Sequence, residues 1–412
     1  MSEYRRVVVT GIGAVTPLGN SAAETWESMK NGKNGIAPIT LFNTENFKAS
    51  LAAEVRNFDP REYLEVNEVL RTDRYAQFAV AAAKQAADES GIDGNVDPDR
   101  YAVIFGTGIG GISTFEKEHS TLLEKGARRV SPLMVPMMIS NMAAGMIAIR
   151  HDCRGSVMPA VTACASGSNA IGEAMRLIRH GYADAAITGG AEAAIIPSAI
   201  AGFANMQALS VSRDPEAASL PFDRRRGGFV MGEGAAALVL EEYEHARKRG
   251  ARIYGEVCGY GSTCDAYHIT APHPDGRGGA KAMEEAMREA GYTEDDAVYI
   301  NAHGTGTPMN DVIETAVIKK ALGDENAKKA LVSSTKSMTG HMLGAAGAVE
   351  ALACLYALNE GIIPPTINLK EQDEKCDLNC TPNEAVSAGI TLALSNSLGF
   401  GGHNACLAFR KV

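Results

Sequence analysis

The sequence predicts a layered α/β protein in which one unit is used twice, and three observations carry that prediction. Short β-branched runs alternate with longer stretches of helical spacing, as expected for a mixed or mostly parallel sheet covered by helices. Four sequence blocks recur in the same order, the mark of a duplicated unit. Two stretches, 168–179 and 347–358, carry apolar residues at helical spacing with small residues throughout, so they are expected to lie buried between two sheets.

The blocks justify the elements in order. The opening run Val7-Val8-Val9-Thr10-Gly11-Ile12-Gly13 resembles Gly255-Glu256-Val257-Cys258-Gly259-Tyr260-Gly261. The strand from Ala102 to Gly108 resembles Val298 to Gly304, and the strand before Cys164 resembles Ala330 to Ser334. Gly228 to Gly234 resembles Ser397 to Gly402, and each is followed by a further apolar strand. The seam falls near 248–252, which gives an N-terminal half over 1–250 and a C-terminal half over 251–412. Forty-three glycines and only 6% aromatics point to tight turns and close backbone contact.

Composition narrows the function. Hydrophobic residues at 45% and charged residues at 21% describe an ordinary globular chain. The net charge of −10 argues against nonspecific nucleic-acid binding. No apolar run reaches the ~18 residues of a membrane helix, and Met1-Ser2-Glu3-Tyr4-Arg5-Arg6 leads straight into a strand without a leader's apolar region. A cytoplasmic location is expected. The eight cysteines have no disulfide or zinc spacing. Gly106-Thr107-Gly108-Ile109-Gly110-Gly111 satisfies G-x-G-x-x-G after a strand, but no acid ends a second strand at the right distance, so a dinucleotide site is not expected.

Three segments share the character of apolar strand, sharp turn and small residues. They are Val161-Thr162-Ala163-Cys164-Ala165-Ser166-Gly167-Ser168, Asn301-Ala302-His303-Gly304-Thr305-Gly306-Thr307-Pro308 and Ser334-Thr335-Lys336-Ser337-Met338-Thr339-Gly340-His341. One thiol, two imidazoles and one ammonium at strand ends are the parts of a cysteine-nucleophile acyl-transfer site. Gly167 and Ser168 open a helix directly after Cys164, and a helix N-terminus favours a thiolate and offers N–H groups to an oxyanion. Neutral imidazoles at His303 and His341 suit stabilisation of an enolate. Lys336 has few charged neighbours in sequence. It reads as buried, with Glu314 and Glu350 as candidate counter-ions.

Together these motifs resemble the β-ketoacyl-acyl carrier protein synthases, the condensing enzymes of fatty-acid synthesis, over essentially the whole chain. The resemblance implies the thiolase fold, two related βαβαβαββ halves in a five-layer αβαβα body, and a homodimer. It implies Cys164 as nucleophile, His303 and His341 as decarboxylation residues, Lys336 paired with Glu314, and Phe400 as a gating residue whose N–H joins that of Cys164 in the oxyanion hole. It matches Ile109, Phe203, Leu133 and Met134 to the acyl pocket, and Thr305 and Thr307 to the pantetheine arm. Arg71, Arg74, Arg128 and Arg129 match regions that dock an acidic acyl carrier protein, with Arg213 a further candidate. Asn301, Glu350, Ser395 and Asn396 match a buried cation site, and no organic cofactor is expected. Departures from the family pattern are Leu133-Met134 where two aromatics are common, Gly306 for serine and His403 for threonine. The implied reaction is decarboxylative condensation of malonyl carrier protein with a cysteine-bound acyl chain. The alternatives are a polyketide ketosynthase and a thiolase with Cys406 as its second cysteine.

Overall fold

The computed structural model describes residues 4–412; Met1-Ser2-Glu3, part of the opening segment read as leader-free, lie outside the described residues. Ten strands form the central sheet: β1 (Val7–Val15), β2 (Tyr101–Gly106), β3 (Val157–Ala160), β4 (Ala185–Glu192), β5 (Gly234–Glu242), β6 (Gly255–Cys264), β7 (Val298–Asn301), β8 (Leu331–Ser333), β9 (Leu392–Gly399) and β10 (His403–Arg410). Their spatial order is β8-β7-β9-β10-β6-β1-β5-β4-β2-β3. The first five strands and the last five therefore repeat one arrangement. In each set the first strand is antiparallel to the fifth, the fifth to the fourth, and the fourth, second and third run parallel. The two sets meet where β1 pairs with β6 through Val8 opposite Glu256 and Val9 opposite Gly255.

Five helices position the site: α1 (Arg74–Ser90), α2 (Ser166–Arg179), α3 (Arg277–Glu289), α4 (Asn310–Leu322) and α5 (Ala346–Glu360). Side chains alternate across each strand. Ala102 and Ile104 of β2 join the core around α2 and α5, whereas Tyr101, Val103 and Phe105 join the core under α1. A third core lies under α3 and α4. Three cores separated by the two halves of this one continuous sheet, rather than by two separate sheets, give five layers, with α2 and α5 in the middle as their composition predicts. The helices start and stop on local signals. Asp73 caps α1 by accepting from the Tyr75 N–H, and Gly91 ends it in the left-handed conformation.

The first repeat block has a physical reason. A Cβ at Gly11 or Gly13 would lie 2.1 or 2.0 Å from the Ala86 and Ala82 carbonyls of α1. One at Gly259 or Gly261 would lie 2.1 or 1.9 Å from those of Ala286 and Ala282 on α3. The same glycine pair lets an outer helix settle on each sheet.

The fourth block needs correction. Gly228 to Glu233 is a loop leading into β5, and the counterpart of β9 is β4, whose Gly189-Gly190-Ala191 contributes little β-branched character. The two sheet edges also differ. β8 is covered by the segment around Asn379, whose carbonyl accepts from the Val332 N–H, whereas β3 leaves Val157 and Met158 exposed. Among the described residues, no helix is long and apolar enough to cross a membrane.

Candidate active site

Cys164 follows β3 in a one-turn helix, Ala163–Ala165, that runs into α2. Ala163 is held at φ 52°, an unfavourable conformation for a residue with a Cβ, directly before the cysteine that lines the cavity. His303 lies just beyond β7, and His341 follows the short helix Lys336–Thr339 after β8. The three meet in one cavity of about 540 Å³, lined also by Ile109, Phe203, Leu343 and Phe400. The two imidazoles stand nearly perpendicular, with ring centroids 5.3 Å apart, and Phe229 packs edge-on against His341 at 5.0 Å. The backbone N–H groups of Cys164 and Phe400 face the sulfur. A Cβ at Gly399 would approach the Cys164 nitrogen to 3.3 Å, so the Gly399-Phe400 turn lies directly on the cysteine turn.

Electrostatics modify one expectation. The start of α2 predicts a thiol drawn toward thiolate, yet burial dominates and pushes the Cys164 thiol up to about 12. The Lys336 ammonium and the Phe400 N–H oppose that rise. The physical reason is exclusion of water, which penalises a charged sulfur more than nearby dipoles can offset. Burial also holds His303 and His341 well below the ordinary imidazole range, helped by the Lys336 charge. Both rings are therefore neutral at physiological pH.

Lys336 is buried as predicted, but its partner differs from the one the resemblance implies. It forms an ion pair with Glu350 on α5, also buried. Glu314, on α4, instead accepts the N–H groups of His303 and Gly304, both at 2.7 Å, and fixes the histidine turn. Burial raises this carboxyl to about 7. Glu350 sits within one helical turn of Cys354, which faces Leu394 on β9, and this places it over the strands next to Lys336.

The remaining predicted residues divide. Thr305 and Thr307 line the cavity with hydroxyls 3.1 Å apart. Gly306 between them has φ 77°, which suits glycine better than the serine common in relatives. Ile109 and Phe203 line the cavity, but Leu133 and Met134 do not; they begin the helix Met134–Met138, outside the single-chain cavity. Arg71, Arg128 and Arg129 are exposed, whereas Arg74 is committed to Glu233 through two hydrogen bonds of 2.9 and 2.7 Å. His403 packs its ring over Gly401 rather than facing the cavity, and Cys406 is buried within β10, which removes the basis for a thiolase pair.

Asn301 Oδ1, Glu350 Oε2 and Ser395 Oγ are buried oxygens without a hydrogen-bond partner among the described residues. Asn301 and Ser395 are neighbours across β7 and β9. These hard donors fit a monovalent or divalent cation. Asn396 departs from the set, because its amide nitrogen donates to Met283 of α3 on the outer face, although its Oδ1 is also unpartnered.

Two contributors escaped sequence reasoning. Arg226 donates to the carbonyls of Thr307 and Pro308 at 3.0 and 2.9 Å and so holds the threonine loop. Glu192 ends β4 beneath Ile109. Its only signal in the sequence is an acid inside Gly189-Gly190-Ala191-Glu192-Ala193-Ala194, where nothing else is charged.

Comparison with known proteins agrees with this geometry. A 3-oxoacyl-[acyl-carrier-protein] synthase 2 of Synechocystis is 51% identical over 411 residues, 99% of each chain. One from Staphylococcus aureus is 50% identical over 412 residues, covering 100% of this chain and 99% of that one. The solved ishigamide ketosynthase/chain length factor superposes with a TM-score of 0.92 at 36% identity, over 99% of this chain and 100% of that chain. A type II polyketide ketosynthase in complex with its acyl-carrier protein gives 0.90 at 35%, with the same coverage. The architecture is thus the thiolase fold of the ketosynthases. Residues 4–246 match the Beta-ketoacyl synthase, N-terminal domain, and residues 254–370 its C-terminal domain, so the chain belongs to the beta-ketoacyl synthase family.

Proposed function

We propose that this chain is a 3-oxoacyl-[acyl-carrier-protein] synthase of the elongating type, an acyltransferase that lengthens an acyl chain by two carbons. The observation that carries the reading is the meeting of Cys164, His303 and His341 in one cavity with the Cys164 and Phe400 N–H groups at the sulfur. In the first step the Cys164 sulfur attacks the carbonyl of an acyl-carrier thioester. Its proton leaves with the carrier thiol, and the two N–H groups receive the oxyanion. Because the resting group is a thiol, proton loss accompanies attack rather than preceding it.

Malonyl carrier protein then enters, with its pantetheine arm against Thr305 and Thr307. The bond to the carboxylate breaks, carbon dioxide departs, and the electron pair becomes an enolate. Its oxygen takes hydrogen bonds from the neutral imidazoles of His303 and His341. The enolate carbon attacks the acyl-Cys164 carbonyl, a carbon–carbon bond forms, and the cysteine sulfur leaves as a thiolate that takes up one proton from solvent to return to the resting thiol. Lys336 acts through its field, favouring neutral histidines and offsetting part of the cost that burial imposes on a thiolate. The Asn301, Glu350 and Ser395 oxygens are the residues that would hold a cation, whose charge would screen Glu350. Titration with potassium or magnesium should raise the melting temperature of wild type and not of Ser395→Val.

Two partners belong to this reading. An acidic carrier protein fits the exposed Arg71, Arg128 and Arg129 despite the net charge of −10. A second copy fits the exposed edge of β3, which would continue the sheet across a two-fold axis and cover Val157 and Met158. A monomer by solution mass measurement would remove the second partner. A cytoplasmic location is supported by eight free cysteines. Fatty-acid elongation is favoured over polyketide assembly by the higher identity to the synthase 2 proteins, 50–51% against 35–36%.

The deciding experiment supplies purified protein with acyl- and malonyl-carrier substrates. The expected result is 3-oxoacyl carrier protein and carbon dioxide in equal amounts, with an acyl adduct on Cys164. An unmodified Cys164 during turnover would overturn the reading.

A further inference from the structure

Glu192 is a fully buried carboxylate with no Lys or Arg paired to it among the described residues. Four donors surround it instead: the N–H groups of Gly108 at 2.7 Å, Ile109 at 3.2 Å and Gly344 at 3.0 Å, and the Thr107 hydroxyl at 3.1 Å. An isolated buried anion is costly, but an apolar side chain here would leave three backbone N–H groups and a hydroxyl buried without an acceptor, so the carboxylate is what holds these donors together. What it joins gives the reason for its presence. Gly108 and Ile109 are consecutive, so their two N–H groups fix the rotation of the peptide that carries the Ile109 side chain. Gly344 follows Leu343 in the turn that opens α5. Ile109 and Leu343 both line the cavity and pack in one apolar cluster with Cys164 and Phe203. One carboxylate thus ties together two cavity walls, one from each set of strands. No space exists for slack on the far side, since a Cβ at Gly344 would lie 2.2 Å from the Gly108 nitrogen.

We propose that Glu192 is a positioning residue that sets acyl-chain selectivity by clamping the Ile109 backbone against the Gly344 turn. It touches no reacting atom. Through the clamp it holds the Ile109 side chain in the wall of the cavity that Cys164 also lines, where it takes up room that an acyl chain on that sulfur would use. This deepens the synthase reading and rests on it.

The test is Glu192→Gln, which keeps the size but turns one acceptor oxygen into a donor facing N–H groups. Transfer to Cys164 is measured with short and long acyl-carrier substrates. The expected result is a rise of about tenfold in the long-to-short ratio of kcat/KM, the scale of discrimination that pocket contacts supply. In an Ile109→Ala background the same change should leave the ratio where Ile109→Ala alone puts it. Equal loss at every length, a falling or unchanged ratio, or independent effects of the two substitutions would each overturn the assignment. If Glu192→Gln does not fold, Thr107→Val removes one of the four donors, and a smaller rise, about threefold, is expected; no rise overturns the proposal. Wild type run alongside separates the two claims. Failure of wild type to load Cys164 at any length overturns the synthase reading and this assignment with it, whereas normal loading with an unmoved ratio overturns the clamp alone.

Discussion

The turn that carries Cys164 and the turn that carries Gly344 are one structure built twice. Each begins on a residue forced to positive φ, Ala163 at 52° and Leu343 at 44°. Each continues through a single helical turn, Ala163–Ala165 or Leu343–Ala345, into a long helix at the centre of the molecule. Cys164 and Gly344 occupy the same place in the two copies, but their surroundings differ. The first turn opens on the cavity, whereas the second is closed against Gly108, where even a methyl group has no room. The neighbouring turns also correspond. Glu192 gathers the N–H groups of Gly108 and Ile109 after β2, and Glu314 gathers those of His303 and Gly304 after β7. Duplication supplied the strained scaffold twice, while the acids that hold the neighbouring turns come from non-equivalent elements, the end of β4 and helix α4. The nucleophile was placed in one copy and the imidazoles in the other, so the chemistry exists only at their junction.

The division of labour can be broken most severely at its two poles. Cys164→Ala should reduce condensation by at least about 10⁴-fold while malonyl decarboxylation persists, because the imidazoles lie on the other copy. His303→Ala should lower decarboxylation by about 10²–10³-fold and leave acyl loading of Cys164 measurable. Full condensation by Cys164→Ala would end the argument. The next largest effect is on stability. Lys336→Met strands Glu350 in the core and should cost about 3–5 kcal/mol in denaturant unfolding, with partial recovery in Lys336→Met/Glu350→Gln.

A pH series sharpens the comparison at the imidazoles. Their folded pKa values lie well below 6.5, so decarboxylation by Cys164→Ala should stay level from pH 8 to pH 6. Over the same range the unfolded chain takes up protons that the native rings refuse. The two imidazoles therefore contribute stability that is complete above 6.5 and is lost as pH drops below it, while the buried Glu192 and Glu314, each raised to about 7, act in the opposite sense. A decarboxylation rate that halves near 6.5 would show an ordinary, solvated histidine. The smallest effect tests the strained turns themselves. Ala163→Gly and Leu343→Gly relieve positive φ but free the unfolded chain, and the net change should lie within about 1 kcal/mol of zero at Ala163. Leu343→Gly should be worse by about 2 kcal/mol, since it also removes a side chain from the cavity wall.

Much of this was legible before any coordinates. The alternation of strand and helix, the small-residue helices and the glycine pairs of the first block led to the layered architecture, because periodicity and missing Cβ atoms act locally. The three strand-end motifs led to the site, because each places its reactive group in a turn too rich in glycine and hydroxyls to be core. The partner of Lys336 was not legible. Glu314 and Glu350 are equally plausible along the chain, and only the packing of α5 against β9 selects Glu350. Leu133 and Met134 were not legible in the same way: they begin the helix Met134–Met138, outside the cavity of one chain. The β4 strand was overlooked because Gly189 and Gly190 suppress the β-branched pattern, and with it went Glu192.

By itself the sequence determined the kinds of chemistry available, a thiol, two imidazoles and a buried ammonium, and the duplicated frame that carries them, since both follow from residue type and local spacing. Tertiary structure alone decided the protonation of the thiol and the imidazoles and the pairing of the buried charges. A thiol at a helix start is inclined toward thiolate, but the depth of its burial is set by residues hundreds of positions away, and desolvation outweighs the local dipole.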